Sequence, residues 1–228
     1  MEAYDKEKEL WNEVYSAEKP VDLRNIPLTV EPGFDECLKD FGQVTHRVLD
    51  FGCGTGDIIF QYIQNFPEKK GVGIDEAEEG ISFAKETAKL SQYKNLHFFT
   101  GDIDTLSCFE TAEFDGIILS NVLDVMPEQV DEKLLTEINR ILCPGGYLFV
   151  KLNPYYKNTE LQEMSYKKDD GHLYEKDGIL RLHQETTEHW KRIFTRYGAI
   201  VRYVEFQYPW QEGLNRLFLI KKSGNKYS

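Results

Sequence analysis

The chain has 228 residues and carries 27 lysines and arginines against 39 aspartates and glutamates, a formal net charge of −12. This length allows one large domain with a proper core, and the negative charge disfavours nucleic acid as the main partner because phosphate backbones are also negative. The charged start of the chain does not resemble a secretion signal, and no apolar run is long enough to span a membrane. We therefore expect a cytoplasmic protein that acts on small molecules.

Four cysteines are spread along the chain: Cys37, Cys53, Cys108 and Cys143. They include no Cys-x-x-Cys pair, the spacing that zinc sites and redox-active pairs usually need. We expect reduced thiols and no metal site.

The first two thirds of the chain alternate predicted strands and helices. Residues 46–51 predict a short strand that stops at the glycine cluster 52–56, and the apolar spacing in 57–66 predicts a helix that Pro67 ends. Further strands are predicted at 71–75, 96–100, 114–120 and 147–152, with helices at 76–91 and from Pro127 to Pro144. This alternation requires a parallel sheet with right-handed crossovers, so we predict a doubly wound α/β fold.

The remaining residues follow a different pattern. Asp177-Gly178 between two apolar segments predicts a small hairpin, and 185–197 predicts a helix closed by Gly198. Two final strands are joined by a loop too short for a parallel crossover, so they are expected to be antiparallel. We predict one domain made of a helical N-terminal cap (1–45), a cofactor-binding core (46–152), a substrate-side insert (153–184) and a closing helix with antiparallel strands (185–228).

The glycine cluster and the acid after the second strand indicate the ligand. Ligands of open α/β sheets bind at the carboxyl ends of the strands, where the loop Gly52 to Gly56 lies. Asp57 stands where a pyrophosphate-binding loop has its last glycine, which disfavours a nicotinamide dinucleotide. Asp75 is placed to accept two hydrogen bonds from a ribose diol. These features predict a nucleoside with a zwitterionic or cationic group, and S-adenosylmethionine fits that description.

Residues 48–56, Val-Leu-Asp-Phe-Gly-Cys-Gly-Thr-Gly, resemble the first motif of the class I S-adenosylmethionine-dependent methyltransferases. Four further stretches resemble later motifs of the same family in the same order: 71–75, 100–103, 114–122 and 142–146. The resemblance implies a Rossmann-like, mostly parallel seven-stranded sheet with an antiparallel C-terminal strand pair and helices on both faces. It also implies methyl transfer with S-adenosyl-L-methionine as cofactor.

The resemblance further implies which residues of the first two βα units hold the cofactor. Its methionine part would lie against the loop residues Gly52, Cys53, Gly54 and Gly56. Asp50 would face the ammonium end, and Asp75, followed by Glu76, would bind the ribose hydroxyls.

The other implied contacts lie after the third and fourth strands. Asp102 would accept a hydrogen bond from the adenine amino group, with the Ile103 amide facing the ring. Ser120, Asn121 and Val122 would line the side from which the methyl group leaves. As an alternative, Asp50 and Asp102 could cap the turns after their strands.

An acceptor that must lose a proton needs a base near the end of the fourth or fifth strand. Asp124 is the first candidate, and the alternative is that it is an exposed acid or caps the helix that begins at Pro127. His172 and His183 in the insert are further candidates, although surface histidines are common. His46 and His97 alternate with apolar strand residues and are expected to be structural.

Tyr4, Trp11 and Tyr15 would share one face of an N-terminal helix. This aromatic stripe could pack on the sheet, or it could form a lid over the cofactor and face its sulfonium group.

We thus predict an S-adenosylmethionine-dependent methyltransferase acting on a small organic molecule. Methylation of a protein or RNA is one alternative, and a non-catalytic module that binds S-adenosylmethionine or S-adenosylhomocysteine is another. A nicotinamide-dependent dehydrogenase ranks third because of Asp57.

Overall fold

The computed structural model describes residues 6–169 and 171–224 and contains two sheets. The strands, in chain order, are β1 (Arg47–Phe51), β2 (Lys70–Asp75), β3 (Leu96–Thr100), β4 (Phe114–Ser120), β5 (Leu142–Leu152), β6 (Lys167–Lys168), β7 (Leu173–Lys176), β8 (Ile179–His183), β9 (Gly198–Phe206) and β10 (Asn215–Lys222). The helices are α1 (Glu7–Ser16), α2 (Pro32–Val44), α3 (Asp57–Asn65), α4 (Glu78–Leu90), α5 (Glu128–Ile141), α6 (Asn158–Glu163) and α7 (Thr187–Phe194). Within these described ranges, no helix is both long and apolar enough to cross a membrane.

The main sheet has seven strands in the order β3-β2-β1-β4-β5-β10-β9. The first five strands along the chain pair in parallel, and β10 lies antiparallel between β5 and β9. The predicted fold class is therefore confirmed. Because β1 pairs with β2 on one side and with β4 on the other, the direction of the strand order reverses there, and a crevice opens at the carboxyl ends of these strands.

Helices cover both faces of the main sheet and bury its apolar side chains. On one face, α2, α3 and α4 contribute Phe34, Phe41, Ile59 and Ile81 to a buried cluster with the sheet. On the other face, α5 and α7 pack Leu134, Ile138, Trp190 and Phe194 onto the sheet. Removal of this apolar area from water is the main stabilising contribution, and it makes the sheet a rigid base for the loops at its edge.

The segment between β5 and α7 folds separately from the main sheet. Helix α6 and the small sheet β6-β7-β8 share a core of Leu161, Tyr174 and Leu182. The predicted hairpin is present, and its turn residues Asp177 and Gly178 have φ angles of 57° and 74°, as a tight two-residue turn requires. This insert brings β8 over the edge of the main sheet.

The start of β5 differs from the prediction. Sequence patterning placed the strand after Pro144-Gly145-Gly146, at Tyr147, whereas β5 begins at Leu142 directly after α5. The pairing of β4 with β5 is irregular between Phe114 and Gly116, so the proline and glycines form a bulge within the strand and do not end a helix before it.

Candidate functional site

The loop after β1 is held in a conformation that favours glycine. Gly52, Gly54 and Gly56 have φ angles of 72°, 52° and 89°. The amides of Gly52 and Cys53 both donate to the Ile74 carbonyl, at 2.8 and 3.0 Å, which ties the loop to the end of β2. A Cβ atom on Gly52 would lie 2.6 Å from Val122 Cγ2. The loop therefore needs glycine at position 52 both for its backbone angles and for the close approach of Val122, which follows β4.

Asp75 lies opposite this loop at the end of β2. Its Oδ2 accepts a hydrogen bond from the Gly54 amide at 2.7 Å, and its Oδ1 accepts one from the Ala77 amide at 2.8 Å. Burial raises the pKa of Asp75, and the two amide hydrogen bonds oppose that rise. The carboxylate is thus fixed in position between the glycine loop and α4.

A cavity of about 350 Å³ opens at this edge of the sheet. Its floor is formed by residues at or just after the carboxyl ends of β1, β2, β3, β4 and β5, namely Gly52, Asp75, Glu76, Gly101, Ser120, Asn121, Val122 and Asn153. This size and position are typical of small-molecule sites in α/β proteins. Among the predicted cofactor residues, Gly52, Asp75, Glu76, Ser120, Asn121 and Val122 line the cavity.

Helix α1 forms the roof of the cavity. Trp11 and Tyr15 line it and stack on each other, with ring centroids 5.4 Å apart. A Cβ atom on Gly54 would lie 2.6 Å from the Tyr15 hydroxyl, so the helix touches the glycine loop. Two members of the predicted stripe therefore cover the cavity, and its action as a lid stays a prediction. Tyr4, the third member of the predicted stripe, lies outside the described residues.

Strand β8 of the insert completes the roof with Arg181 and Leu182. The Arg181 guanidinium lies over the Trp11 ring, 5.8 Å from its centroid, and the Trp11 indole donates to Glu7 Oε1 at 3.2 Å. Sequence reasoning missed both Arg181 and Glu7. The only available signal was an arginine between two leucines of a predicted hairpin strand, a pattern that is also common on solvated strand faces.

Four predicted residues of the first βα unit do not line the cavity: Asp50, Cys53, Gly54 and Gly56. Asp50 is only 2% exposed and accepts a hydrogen bond from the Ile59 amide in α3, a contact of the kind that the capping alternative expects. Burial raises the pKa of Asp50 well above its usual value, and the nearby Asp75 and Asp57 raise it further. The thiol of Cys53 donates to the Gly54 carbonyl at 3.8 Å. Gly56 is the N-cap residue of α3.

Asp102 is exposed and caps the short 3-10 helix Ile103–Cys108. Its Oδ1 accepts from the amides of Asp104 and Thr105 at 2.9 and 3.2 Å. Ile103 is buried in the core. Oδ1 of Asp102 therefore acts as a cap, as the alternative expects. The contact of Asp102 with adenine stays a prediction.

Asp124 is fully buried, and the alternative that it is exposed or caps α5 is wrong, because Pro127 is the N-cap residue. Its Oδ2 accepts from the Asn153 amide, whereas Oδ1 has no hydrogen-bond partner in the described part of the chain. Burial raises the pKa of Asp124, while Lys151 and Arg216 lower it. Asp124 lies behind Asn153 and does not line the cavity, and its role as a base stays a prediction.

The candidate histidines of the insert do not line the cavity either. His183 is 5% exposed, and its Nδ1 lies 3.2 Å from Asp131 Oδ2. Burial lowers the pKa of His183. His172 lies 3.5 Å from Glu185 at the surface. These contacts join the insert to α5 and to Glu185, just before α7.

Asn121 and Lys151 form a further pair at the cavity wall. Asn121 has a φ angle of 54°, and its Oδ1 accepts from Lys151 Nζ at 2.7 Å. Lys151 is 2% exposed and lies over the Tyr208 ring, and burial lowers its pKa to about 8. Sequence analysis missed Lys151, although a lysine inside an apolar strand was an available signal.

Comparison with known proteins identifies the family. Residues 43–198 match the model of a methyltransferase domain. The chain belongs to this family. The methyltransferase domain adopts the class I fold, so the resemblance stated from the sequence motifs is confirmed.

A demethylmenaquinone methyltransferase of Lactococcus lactis is 34% identical over 111 residues, which are 48% of this chain and 43% of that protein. The PH0226 protein of Pyrococcus horikoshii superposes with a TM-score of 0.67 at 20% identity, over 84% of this chain and 88% of that one. The 1,6-didemethyltoxoflavin-N1-methyltransferase of Burkholderia thailandensis, solved with S-adenosylhomocysteine, superposes with a TM-score of 0.61 at 16% identity, over 85% and 79% of the two chains. The methyltransferase domain spans less than half the length of its first curated relatives, from 37% to 43%.

Proposed function

We propose that this methyltransferase domain transfers the methyl group of S-adenosylmethionine to a small organic molecule. The observation that supports this best is the cavity in which Gly52 and Asp75 face each other at the ends of β1 and β2. The toxoflavin enzyme named above acts on a small molecule and is bound to S-adenosylhomocysteine. Its similarity to the present chain agrees with the proposal.

The residues present fit the cofactor. Positive φ angles at Gly52 and Gly54 let the backbone approach a ligand without side-chain obstruction. Asp75 offers a carboxylate to a ribose diol, and Glu76 beside it adds a second acid to the wall. No lysine or arginine lies in the loop 52–56 to bind a phosphate. This set of groups suits a nucleoside that carries a positive charge better than one that carries a diphosphate.

The chain's own contribution would be binding, alignment and exclusion of water. Bound S-adenosylmethionine supplies a methyl group on a sulfonium, which is already an excellent leaving group. Asp75 and the glycine loop hold the nucleoside, while Asn121 and Val122 form the wall on the acceptor side. Trp11 and Tyr15 cover the cavity and keep water out, which helps because alignment and a dry site are the main ways a protein can accelerate this displacement.

The roofed cavity favours a small acceptor over a protein or RNA. Helix α1 and strand β8 both lie over the edge of the sheet, so a large polymer would have to displace one of them. The net charge of −12 also disfavours RNA. The non-catalytic alternative uses the same cofactor contacts and differs only in the absence of turnover.

Calorimetric titration with S-adenosylmethionine, S-adenosylhomocysteine and NAD tests the proposal. We expect Kd values of about 1–100 μM for the two sulfur nucleosides and no heat from NAD. A screen of small acceptors with methyl-labelled cofactor then separates the enzyme from the non-catalytic module. Binding of NAD alone, or of none of the three, would contradict the proposed function.

A further inference from the structure

The cavity wall carries charged side chains of both signs. Asp75 and Glu76 lie at the end of β2, where the nucleoside is expected. Lys8 on α1 and Arg181 on β8 line the roof, which belongs to the segments outside the cofactor-binding core. These two side chains thus place positive charge on the wall outside the loops that are expected to hold the nucleoside.

Arg181 is half-buried, yet the donors of its guanidinium are unused in the part of the chain that the structure describes. Its guanidinium lies over the Trp11 ring, and within residues 6–169 and 171–224 it forms no hydrogen bond and no salt bridge. A guanidinium has five N–H donors in a planar fork that matches a carboxylate. Stacking on Trp11 orders the side chain, so less entropy is lost when these donors bind a ligand.

The acid nearest to Arg181 on α1 neutralises it only in part. Glu7 lines the cavity and accepts a hydrogen bond from the Trp11 indole. Burial raises the pKa of Glu7 to about 7, although the charge of Arg181 lowers it. The raised pKa favours the neutral form of Glu7, and a neutral carboxyl does not compete with a ligand anion for the charge of Arg181.

The wall at the end of β4 presents a second donor. Asn121 lines the cavity, and its Oδ1 accepts from Lys151 Nζ at 2.7 Å. Because an ammonium group can only donate, this contact fixes the orientation of the amide and leaves the Asn121 NH₂ group for a ligand. Lys151 also brings positive charge behind this wall.

Apolar side chains complete the acceptor part of the cavity. Val122, Val125, Met126 and Leu182 line it. A ligand that fits these surroundings has an apolar body and an oxygen-rich, negatively charged group.

We infer that the methyl acceptor carries a carboxylate, which Arg181 binds through its guanidinium, while Asn121 donates to an oxygen of the same molecule. This inference rests on the proposed function. A single charge is favoured over a phosphate dianion because Asp75 and Glu76 in the same cavity repel additional negative charge. A planar carboxylate also matches the guanidinium in a bidentate arrangement.

The test compares carboxylates with their uncharged amides on the protein loaded with S-adenosylhomocysteine. The probes are benzoate against benzamide and octanoate against octanamide, which differ mainly in charge within each pair. Calorimetry on the wild type is expected to give a carboxylate preference of about tenfold, because a hydrogen-bonded ion pair is much stronger than its neutral counterpart. Arg181→Gln is expected to remove this preference, and Arg181→Lys to retain part of it.

A matched control is Arg196→Gln, which removes the same charge from an exposed arginine that does not line the cavity. It is expected to keep the preference of the wild type. Binding of S-adenosylhomocysteine is measured first in every variant, so the two proposals fail separately. If the wild type does not bind the nucleoside, the proposed function fails.

Three outcomes with intact nucleoside binding would overturn the carboxylate inference alone. The first is that the wild type binds neither carboxylate, or binds each no better than its amide. The second is that the preference survives in Arg181→Gln. The third is that Arg181→Gln weakens binding of carboxylate and amide equally, which would mean that Arg181 only fastens α1 to β8 through Trp11.

Discussion

Removal of the Asp75 carboxylate should weaken cofactor binding, and the size of the effect follows from the hydrogen bonds that this carboxylate can accept. In the free protein this carboxylate accepts from the Gly54 and Ala77 amides at 2.7 and 2.8 Å, and it lines the cavity. Hydrogen bonds to a charged group contribute about 1.5–3 kcal/mol each. Loss of the ribose contacts in Asp75→Ala should therefore raise the Kd for S-adenosylhomocysteine by at least about tenfold, or about 1.4 kcal/mol.

The same substitution also leaves the Gly54 and Ala77 amides without their acceptor, so part of the effect could come from a loosened loop. Asp75→Asn separates the two contributions, because it keeps the shape and one acceptor oxygen but removes the charge. We expect an intermediate Kd and a smaller loss of thermal stability for this variant. Asp22→Asn is the matched control, since the Asp22 side chain is 40% exposed, pairs only with Arg24 in the described structure and does not line the cavity.

The assay is calorimetric titration with S-adenosylhomocysteine, combined with thermal unfolding followed by circular dichroism. Asp75→Ala protein that is folded and binds within about twofold of the wild type would refute the assignment of Asp75 to the ribose.

Two further predictions concern the glycine loop and the buried lysine. Gly52→Ala should lower stability by about 1–3 kcal/mol and impair cofactor binding, because its Cβ would lie 2.6 Å from Val122 at a φ of 72°. Gly145→Ala, with a φ of 78° and no atom within 4 Å of its Cβ, should lose stability through backbone strain alone and bind the cofactor normally. Thermal unfolding measures the stability of both variants, and titration measures their cofactor binding. An equal loss of cofactor binding in both variants would contradict this reasoning. Burial lowers the pKa of Lys151 from 10.5 to about 8, so the unfolded chain holds this proton to higher pH than the folded protein. The stability of the wild type relative to Lys151→Met should therefore rise by up to about 3 kcal/mol between pH 7 and pH 10.5 in denaturant unfolding, and a difference that does not change with pH would count against it.

The sequence predicted the parts of the fold in which local pattern and tertiary structure agree. Strands β3 and β4 were predicted with their observed bounds, because each is a short apolar run between turn residues. The start of β5 was wrong because Pro144-Gly145-Gly146 is usually a helix terminator, whereas here pairing with β4 accommodates it as a bulge. The local sequence around Pro144 could not show that β4 would pair with this segment.

The site residues also divide into those that the local sequence indicates and those that depend on tertiary contacts. The sequence pointed to Gly52 and Asp75 because both lie at the ends of consecutive strands, and both line the cavity. Arg181 and Lys151 were missed because their roles depend on distant packing. Arg181 reaches the cavity only through the position of the insert, and Lys151 matters only because Asn121 turns toward it. The burial of Asp124 was also not predictable, because a position between β4 and Pro127 is typical of an exposed loop.

Helix α1, which covers the cavity, contains no fully buried residue. Few apolar contacts would be lost on its detachment, so the free energy of its local opening should be far below that of global unfolding. Its amides should then exchange with solvent faster than those of the central strands. Access to the cavity would be governed by this local equilibrium, and any ligand held beneath the helix would slow the exchange of its amides while leaving the sheet unaffected.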